Sequence, residues 1–354
     1  MKKLWGISVA IGAMVAFLLA GSAHAGKVYK MRYSHGLPPQ HYMAQIQAKW
    51  AKLVEEKSGG RIKIEVYPGG TLVNDKHLFE ALSTGSVEVG GIYNFYLEPN
   101  VPEFAGLAPF GVAWNHDVNV AVSESFAKKK GPAWECAKAA EKKNLKVVAW
   151  LPWGEAGPRH GMAGTGKQII LPEDMKGRKI RPLGSLAPKV YKVYGGRPVY
   201  LSGAELYTAL QRGTVDAVLI CAAHMIQRKL VEVTDWYTGN FPWGTYVSTI
   251  ICVNRDFYNE LPPDLQRILF EAGEECRKEI NETGYLLLNK FLEQTRKLVK
   301  VHILTREEQA KWTNAAAPFV VEFVKSKGPG CVRVYNEVQK IMKEFGLPYH
   351  FVQK

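Results

Sequence analysis

The sequence predicts an α/β protein built from two similar domains, and three observations carry that reading. The chain has 354 residues, 47% of them hydrophobic, which suits one large or two medium-sized domains. A strand–helix–strand–helix–strand rhythm runs from Lys27 to Ile92. The same order then recurs, ending in the strand Val215 to Ile220. Proline and glycine, at 19 and 33 residues, are too few for a fibrous or disordered chain.

The first half reads in order. Val28, Tyr29, Met31 and Tyr33 mark a short strand that ends at His35-Gly36-Leu37-Pro38. Met43, Ile46, Trp50, Leu53 and Val54 recur at helical spacing, and Ser58-Gly59-Gly60 stops that helix. Ile62, Ile64 and Val66 alternate as a second strand. Leu78 to Leu82 is helical, Gly85 ends it, and Val87 to Ile92 is the third strand.

In the second half, Leu145 to Leu151 is a strand and Pro172 starts a helical turn. Lys179-Ile180-Arg181 leads out as a strand, and Leu186 to Tyr194 forms a helix stopped by Gly195-Gly196. A strand at Pro198 to Tyr200 comes next. Ser202 caps the helix Ala204 to Gln211, with Glu205 three residues on. The run Gly161 to Lys167 matches neither glycine-rich phosphate motif and reads as a loop.

Thr245 to Asn254 is again strand-like. From Pro263, which suits a first helical turn, an apolar periodicity runs for about 35 residues, and Gly284 is a candidate break. Separate helices are expected at Glu307 to Trp312, Ala317 to Lys325 and Val332 to Phe345.

The amino terminus carries Lys2 and Lys3, an apolar run to Leu19, and Ala23-His24-Ala25. This predicts a secretory signal peptide of residues 1–25. No second long apolar segment follows, so membrane insertion of the mature chain is not expected. Cleavage removes two of the 46 basic residues and none of the 33 acidic ones, leaving a charge of +11. Export argues against a nucleic-acid partner, and the basic residues are scattered apart from Lys128-Lys129-Lys130. The five cysteines have no metal or redox spacing; an exported chain leaves room for one disulfide, and Cys221 and Cys252 read as core residues.

No nucleophile elbow, metalloprotease helix or clustered metal ligands occur. Arginine is the informative type, because a guanidinium matches a carboxylate with two parallel N–H donors. Arg181 ends a strand, where ligand crevices of α/β sheets form. Arg159 follows another strand in a Gly/Pro-rich loop. Each could equally serve in a structural ion pair.

Several segments together carry a family resemblance. They include Glu55-Glu56-Lys57-Ser58-Gly59-Gly60-Arg61 through Tyr67-Pro68-Gly69-Gly70, and Leu171-Pro172-Glu173-Asp174-Met175-Lys176-Gly177 through Arg181. Gly195-Gly196-Arg197-Pro198, Glu205-Leu206-Tyr207 through Val215-Asp216, and Leu261-Pro262-Pro263-Asp264 follow in the same order. The chain resembles the solute-binding subunit of tripartite ATP-independent periplasmic (TRAP) transporters.

The resemblance implies two α/β domains around a cleft, joined by hinge strands and a long helix, in a periplasmic protein that is not an enzyme. Domain I is then residues 26–150 plus about 245–265, and domain II is 151–244 plus part of the C-terminal region. The long helix covers about 263–299, and the helices of 300–354 pack on the domains. The implied ligand is an organic acid, its carboxylate held by Arg181 and secondarily by Arg159, and the implied partner is a TRAP membrane permease.

After Val215-Asp216 the sequence departs from the family pattern, with Ala217-Val218-Leu219-Ile220-Cys221 where polar ligand contacts usually follow. Asp216 itself reads as structural. Tyr93, Phe95, Tyr96, Trp153, Trp243 and Tyr246 give aromatic surroundings that suit a monocarboxylate with an apolar or aromatic body. His35, Glu155 and His224 are further polar candidates. No cofactor is implied, though some relatives bridge the ligand with a metal ion. A monomer is the default, and some relatives dimerise. The rival readings are an input protein for a periplasmic sensor and an exported enzyme acting on organic acids.

Overall fold

The computed structural model describes residues 27–107, 116–153, 157–241 and 247–347. The predicted signal peptide therefore lies outside the described residues, as do Glu155, Trp243 and Tyr246. The chain starts with β1 (Tyr29–His35), α1 (Tyr42–Lys57), β2 (Ile62–Tyr67), α2 (Leu78–Thr84) and β3 (Val89–Tyr93). β1 pairs in parallel with both β2 and β3. After α3 (Asn94–Leu97), α4 (His116–Ala127) and α5 (Pro132–Glu141), β4 (Leu145–Pro152) ends the run.

The chain then builds a second sheet. Its elements are β5 (His160–Gly164), β6 (Lys179–Arg181), α6 (Ala187–Val193), β7 (Arg197–Pro198), α7 (Leu206–Gln211), β8 (Ala217–Cys221), α8 (Ala222–Gln227) and β9 (Trp236–Gly239). It returns to the first sheet through β10 (Ser248–Asn254), followed by α9 (Arg255–Glu260) and α10 (Pro263–Leu298). It ends with β11 (Lys300–Ile303), α11 (Arg306–Ser326) and α12 (Pro329–Glu344).

The result is two α/β domains. The strand orders are β2-β1-β3-β10-β4 and β11-β9-β5-β8-β6-β7. Each sheet is mixed: the strand that arrives from the other half, β10 in the first and β5 in the second, runs antiparallel to its neighbours.

Three expectations need correction. His160–Gly164, read as a loop, is the strand β5, hydrogen-bonded on both sides. Glycine is usually depleted in strands, but here it is required by crowding. A Cβ on Gly161 would lie 2.2 Å from the Thr238 carbonyl oxygen and 2.8 Å from the Tyr237 ring. The long helix shows no break at Gly284, since α10 is continuous over 36 residues. Gly284 is buried, and the packing of the helix outweighs that residue's weak helix propensity. The two helices expected between 307 and 325 are one helix, α11, with Pro318 inside it. The strands β9 and β11 escaped the sequence reading because four-residue strands are too short to show a period.

The helix α10 ties the molecule together. The Trp50 indole, fully buried on α1, donates to the Leu269 carbonyl at 3.1 Å. One turn on, Gly273 sits directly on β4: a Cβ there would lie 2.6 Å from Ala149 Cβ and 2.8 Å from the Val148 oxygen. At the other end, Asn289 accepts from Arg159 of the second half at 3.0 Å. All five cysteines are buried and none is joined in a disulfide. Burial pushes the Cys276 and Cys331 thiols up to about 12.

Two outcomes follow. Gly273→Ala should destabilise the protein by about 1–3 kcal/mol through overpacking, read as a lower urea midpoint at unchanged m-value. A thiol reagent should modify none of the five cysteines in the native protein and all five after denaturation; rapid native labelling would contradict the packing described.

Candidate functional site

A cavity opens at the seam of the two sheets. Its lining includes Tyr93, Phe95 and Val247 from the first sheet and its loops, and Trp153 just beyond β4. Across from them stand His160, Arg181, Ile220, Cys221, His224 and Arg228. The space left inside is only about 40 Å³, room for one or two waters, and the empty volume including the adjoining solvent is about 400 Å³.

Arg181 is delivered by β6. That strand is short, and its register is set by Asp216, which accepts from the Lys179 backbone N–H at 2.7 Å. Asp216 is thus a structural residue. Pro182 follows, so the chain turns away and leaves the guanidinium at the carboxyl end of the sheet. Arg181 is 4% exposed. Its Nε donates to the Leu201 carbonyl at 3.2 Å, and its one side-chain hydrogen-bonding neighbour among the described residues is Tyr96. The Tyr96 hydroxyl faces it. Burial lowers the guanidinium pKa, with neighbouring Arg228 adding to the effect, yet an arginine stays charged at any physiological pH.

The aromatic side is rigid. Trp153 donates through its indole N–H to Thr249 Oγ1 at 2.8 Å, which fixes the ring. On one face it stacks with His224, centroids 5.1 Å apart and planes within 7°. Tyr93 stands 5.3 Å from the indole and stacks on Phe95 at 5.2 Å. Tyr96 packs against Phe95 at 4.7 Å.

Three histidines near the seam, His35, His41 and His224, are neutral. His224 is 4.7 Å from His41, and its Nδ1 lies 2.9 Å from Cys221 Sγ. Burial holds His41 and His224 well below the usual imidazole range, with Arg228 and the neighbouring histidines pushing the same way. His35 is lowered to about 4 by burial alone. It accepts from the Leu37 N–H at 3.3 Å and lies behind the cavity wall. No group of three or more His, Cys, Asp or Glu able to hold a metal ion occurs among the described residues.

The sequence candidates therefore separate. Arg181, Tyr93, Trp153 and His224 meet at the cavity, and Tyr96 stands beside Arg181. Arg159 does not line it: its Nη1 donates to Asn289 of α10. Two residues escaped the sequence reading. Arg228 caps the C-terminal end of α8 and lines the cavity. Asp75, 4% exposed, faces Arg228 and Arg181 from the first half. His224 and Arg228 lie four apart on one helix face, which is the spacing that could have flagged the second arginine.

Several contacts close the seam around the site. Arg228 donates to the Gly203 carbonyl at 3.0 Å and, across the seam, to the Gly36 carbonyl at 3.4 Å. Glu98, 2% exposed, accepts from the Ser185 N–H at 2.8 Å and hydroxyl at 2.7 Å. The Tyr42 hydroxyl donates to the Trp153 carbonyl at 2.9 Å, and Lys76 pairs with Glu205 at 3.2 Å.

Comparison with known proteins gives this geometry its context. The C4-dicarboxylate-binding protein DctB of Bacillus subtilis is 28% identical over 324 residues, 87% of this chain and 86% of the relative. The C4-dicarboxylate-binding periplasmic protein DctP of Rhodobacter capsulatus is 26% identical over 324 residues, 90% and 93% of the two chains. A TRAP periplasmic solute-binding protein of Rhodoferax ferrireducens, solved with malonate, superimposes with a TM-score of 0.77 at 24% identity over 89% of this chain and 99% of that one. Another from Ochrobactrum anthropi, with a C-terminus bound in the ligand-binding pocket, gives 0.74 at 25% identity over 90% and 97%. The profile of "Bacterial extracellular solute-binding protein, family 7" (DctP) matches residues 33–327, and the chain belongs to that family, the periplasmic solute-binding proteins of TRAP transporters.

Proposed function

We propose that this protein captures a small organic acid in the seam cavity, with the carboxylate on Arg181, and hands it to a TRAP membrane permease. Family membership makes it a periplasmic binding protein rather than an enzyme. The observation that carries the ligand class is the buried Arg181 guanidinium. It faces the cavity with only a backbone carbonyl and the Tyr96 hydroxyl as partners and with no carboxylate paired to it among the described residues. A planar cation in that state suits a bidentate anion, and a carboxylate fits it in shape and charge. The walls of Trp153, Tyr93 and Phe95 suit an apolar or aromatic body on that acid.

The cavity's small free volume supports a closed conformation that opens to admit ligand. The chain crosses between the sheets between β4 and β5 and again between β9 and β10, and these crossings are the proposed hinges. Domain I then comprises residues up to about 150 and about 245–265, domain II the intervening segment, and α10 spans both. Arg159, bonded to Asn289, anchors the first crossing to α10 and supports the site indirectly.

A thermal-shift screen of organic acids, with and without calcium or sodium, identifies the ligand class by mass action. With the acid so found, Arg181→Ala should abolish binding in calorimetry, a loss of about 2–5 kcal/mol, while the ligand-free melting temperature stays near wild type. Near wild-type affinity in the variant would remove Arg181 from the site. Saturating ligand should also contract the wild-type protein in small-angle X-ray scattering and leave the Arg181→Ala variant unchanged.

A further inference from the structure

The second cavity arginine points to which acids the site prefers, given the carboxylate reading above. Arg228 spends its terminal nitrogens on Gly203 and Gly36, while its Nε is buried with no partner among the described residues. Asp75 is buried behind Gly36: a Cβ on Gly36 would lie 2.0 Å from the Asp75 carboxylate. One of its oxygens also lacks a partner. No salt bridge joins Asp75 to either arginine among the described residues, so it acts on both through the intervening field.

The charges can be counted. Arg181 and Arg228 contribute two positive charges, and Asp75 offsets one. Burial raises the Asp75 carboxyl to about 6, so it is ionised at neutral pH. His224, which shares the cavity lining with His160, carries no charge at that pH, and neither do His41 and His35 behind it. The group formed by Arg181, Arg228 and Asp75 therefore carries one net positive charge. A monoanion leaves it neutral, whereas a compact dianion leaves an uncompensated charge in a site closed to water.

The donors can be counted as well. With a carboxylate on Arg181, the Arg228 Nε remains as an N–H that must find an acceptor or stay unpaired. A neutral oxygen close to the carboxylate meets that need without adding charge.

We propose that Arg228 is a specificity-determining ligand contact, and that the site selects a monocarboxylate bearing a keto, hydroxyl or amide oxygen on a neighbouring carbon. Asp75 biases the site against dicarboxylates. The Gly36 contact makes Arg228 reach both halves of the molecule, so its ligand bond forms only as the seam closes.

The test is calorimetric titration with matched probes. These are aliphatic and aromatic monocarboxylates, each beside its 2-oxo and 2-hydroxy counterpart, together with C3 to C5 dicarboxylates. Wild-type protein should bind an oxo or hydroxy monoacid best. Arg228→Gln should weaken that acid roughly tenfold to a hundredfold and bring it level with its unsubstituted analogue. Arg228→Lys should show an intermediate loss, because the charge stays and the planar fork is lost. Asp75→Asn should shift preference toward dicarboxylates, which checks the charge count even if the Arg228 variants fold poorly.

If a dicarboxylate or a plain monoacid binds wild type best, or if Arg228→Gln leaves the ratio between paired acids unchanged, the Arg228 assignment is overturned and the acid-binding reading stands. If no acid of any class binds wild type, both are overturned.

Discussion

A guanidinium taken out of water must be compensated, and the arrangement at the seam follows from that constraint. Arg181 is almost fully buried, yet no carboxylate among the described residues pairs with it. A protein evolving only for stability would place an acid against it, since an unpaired buried charge costs several kcal/mol. Asp75, which feels its charge, forms no salt bridge with it among the described residues, and tyrosine hydroxyls and a backbone carbonyl give partial solvation instead. In the proposed binding mode, the missing half of the pair is what a carboxylate ligand supplies. Binding energy is stored as incomplete solvation of the cation, and ligand capture releases it.

The surrounding histidines sharpen that effect. His224, His41 and His35 could each carry charge if they were exposed, but burial keeps them neutral. Positive charge is thereby confined to guanidiniums, whose position the backbone fixes. Neutral imidazoles beside arginines also avoid like-charge repulsion while still offering one donor and one acceptor each. His224 illustrates this: its ring is clamped between the Trp153 face and Cys221. The site is rigid on its aromatic side and cationic on the other.

How much of this was legible in the sequence depends on whether the signal was periodic or local. The strands β1, β2 and β8 and the helices α1 and α10 announce themselves by apolar spacing, and Arg181 by its place at a strand end before proline. The capping of the Ala204 segment was legible too, and Ser202 does share the Glu205 carboxylate through both its N–H and its hydroxyl. The strand β5 was not, because its glycines answer to the Thr238 backbone and the Tyr237 ring, residues some 75 positions away. Arg159 and Arg228 show the same limit in reverse. Both follow strands or short helices beside the cleft, but only three-dimensional packing shows that one turns to Asn289 and the other to the cavity. Asp75 had no local signal, since its importance comes from the arginines of the opposite half.

Closure must be close to balanced if ligand is to control it. The contacts across the seam are mixed in strength. Lys76 with Glu205 is a largely exposed pair, worth at most about 1 kcal/mol. The Arg228 bond to Gly36, at 3.4 Å, is at the long end of a hydrogen bond. Glu98 on Ser185 is short and buried, but burial also raises the carboxyl pKa, a sign that desolvation takes back part of the gain. None of these is strong enough to lock the halves together against the loss of solvent around two arginines. A ligand shifts such an equilibrium only by binding the closed state better than the open one. In the proposed binding mode it does so because Arg181 and Arg228 on one side and the aromatic wall on the other line a single cavity where the halves meet.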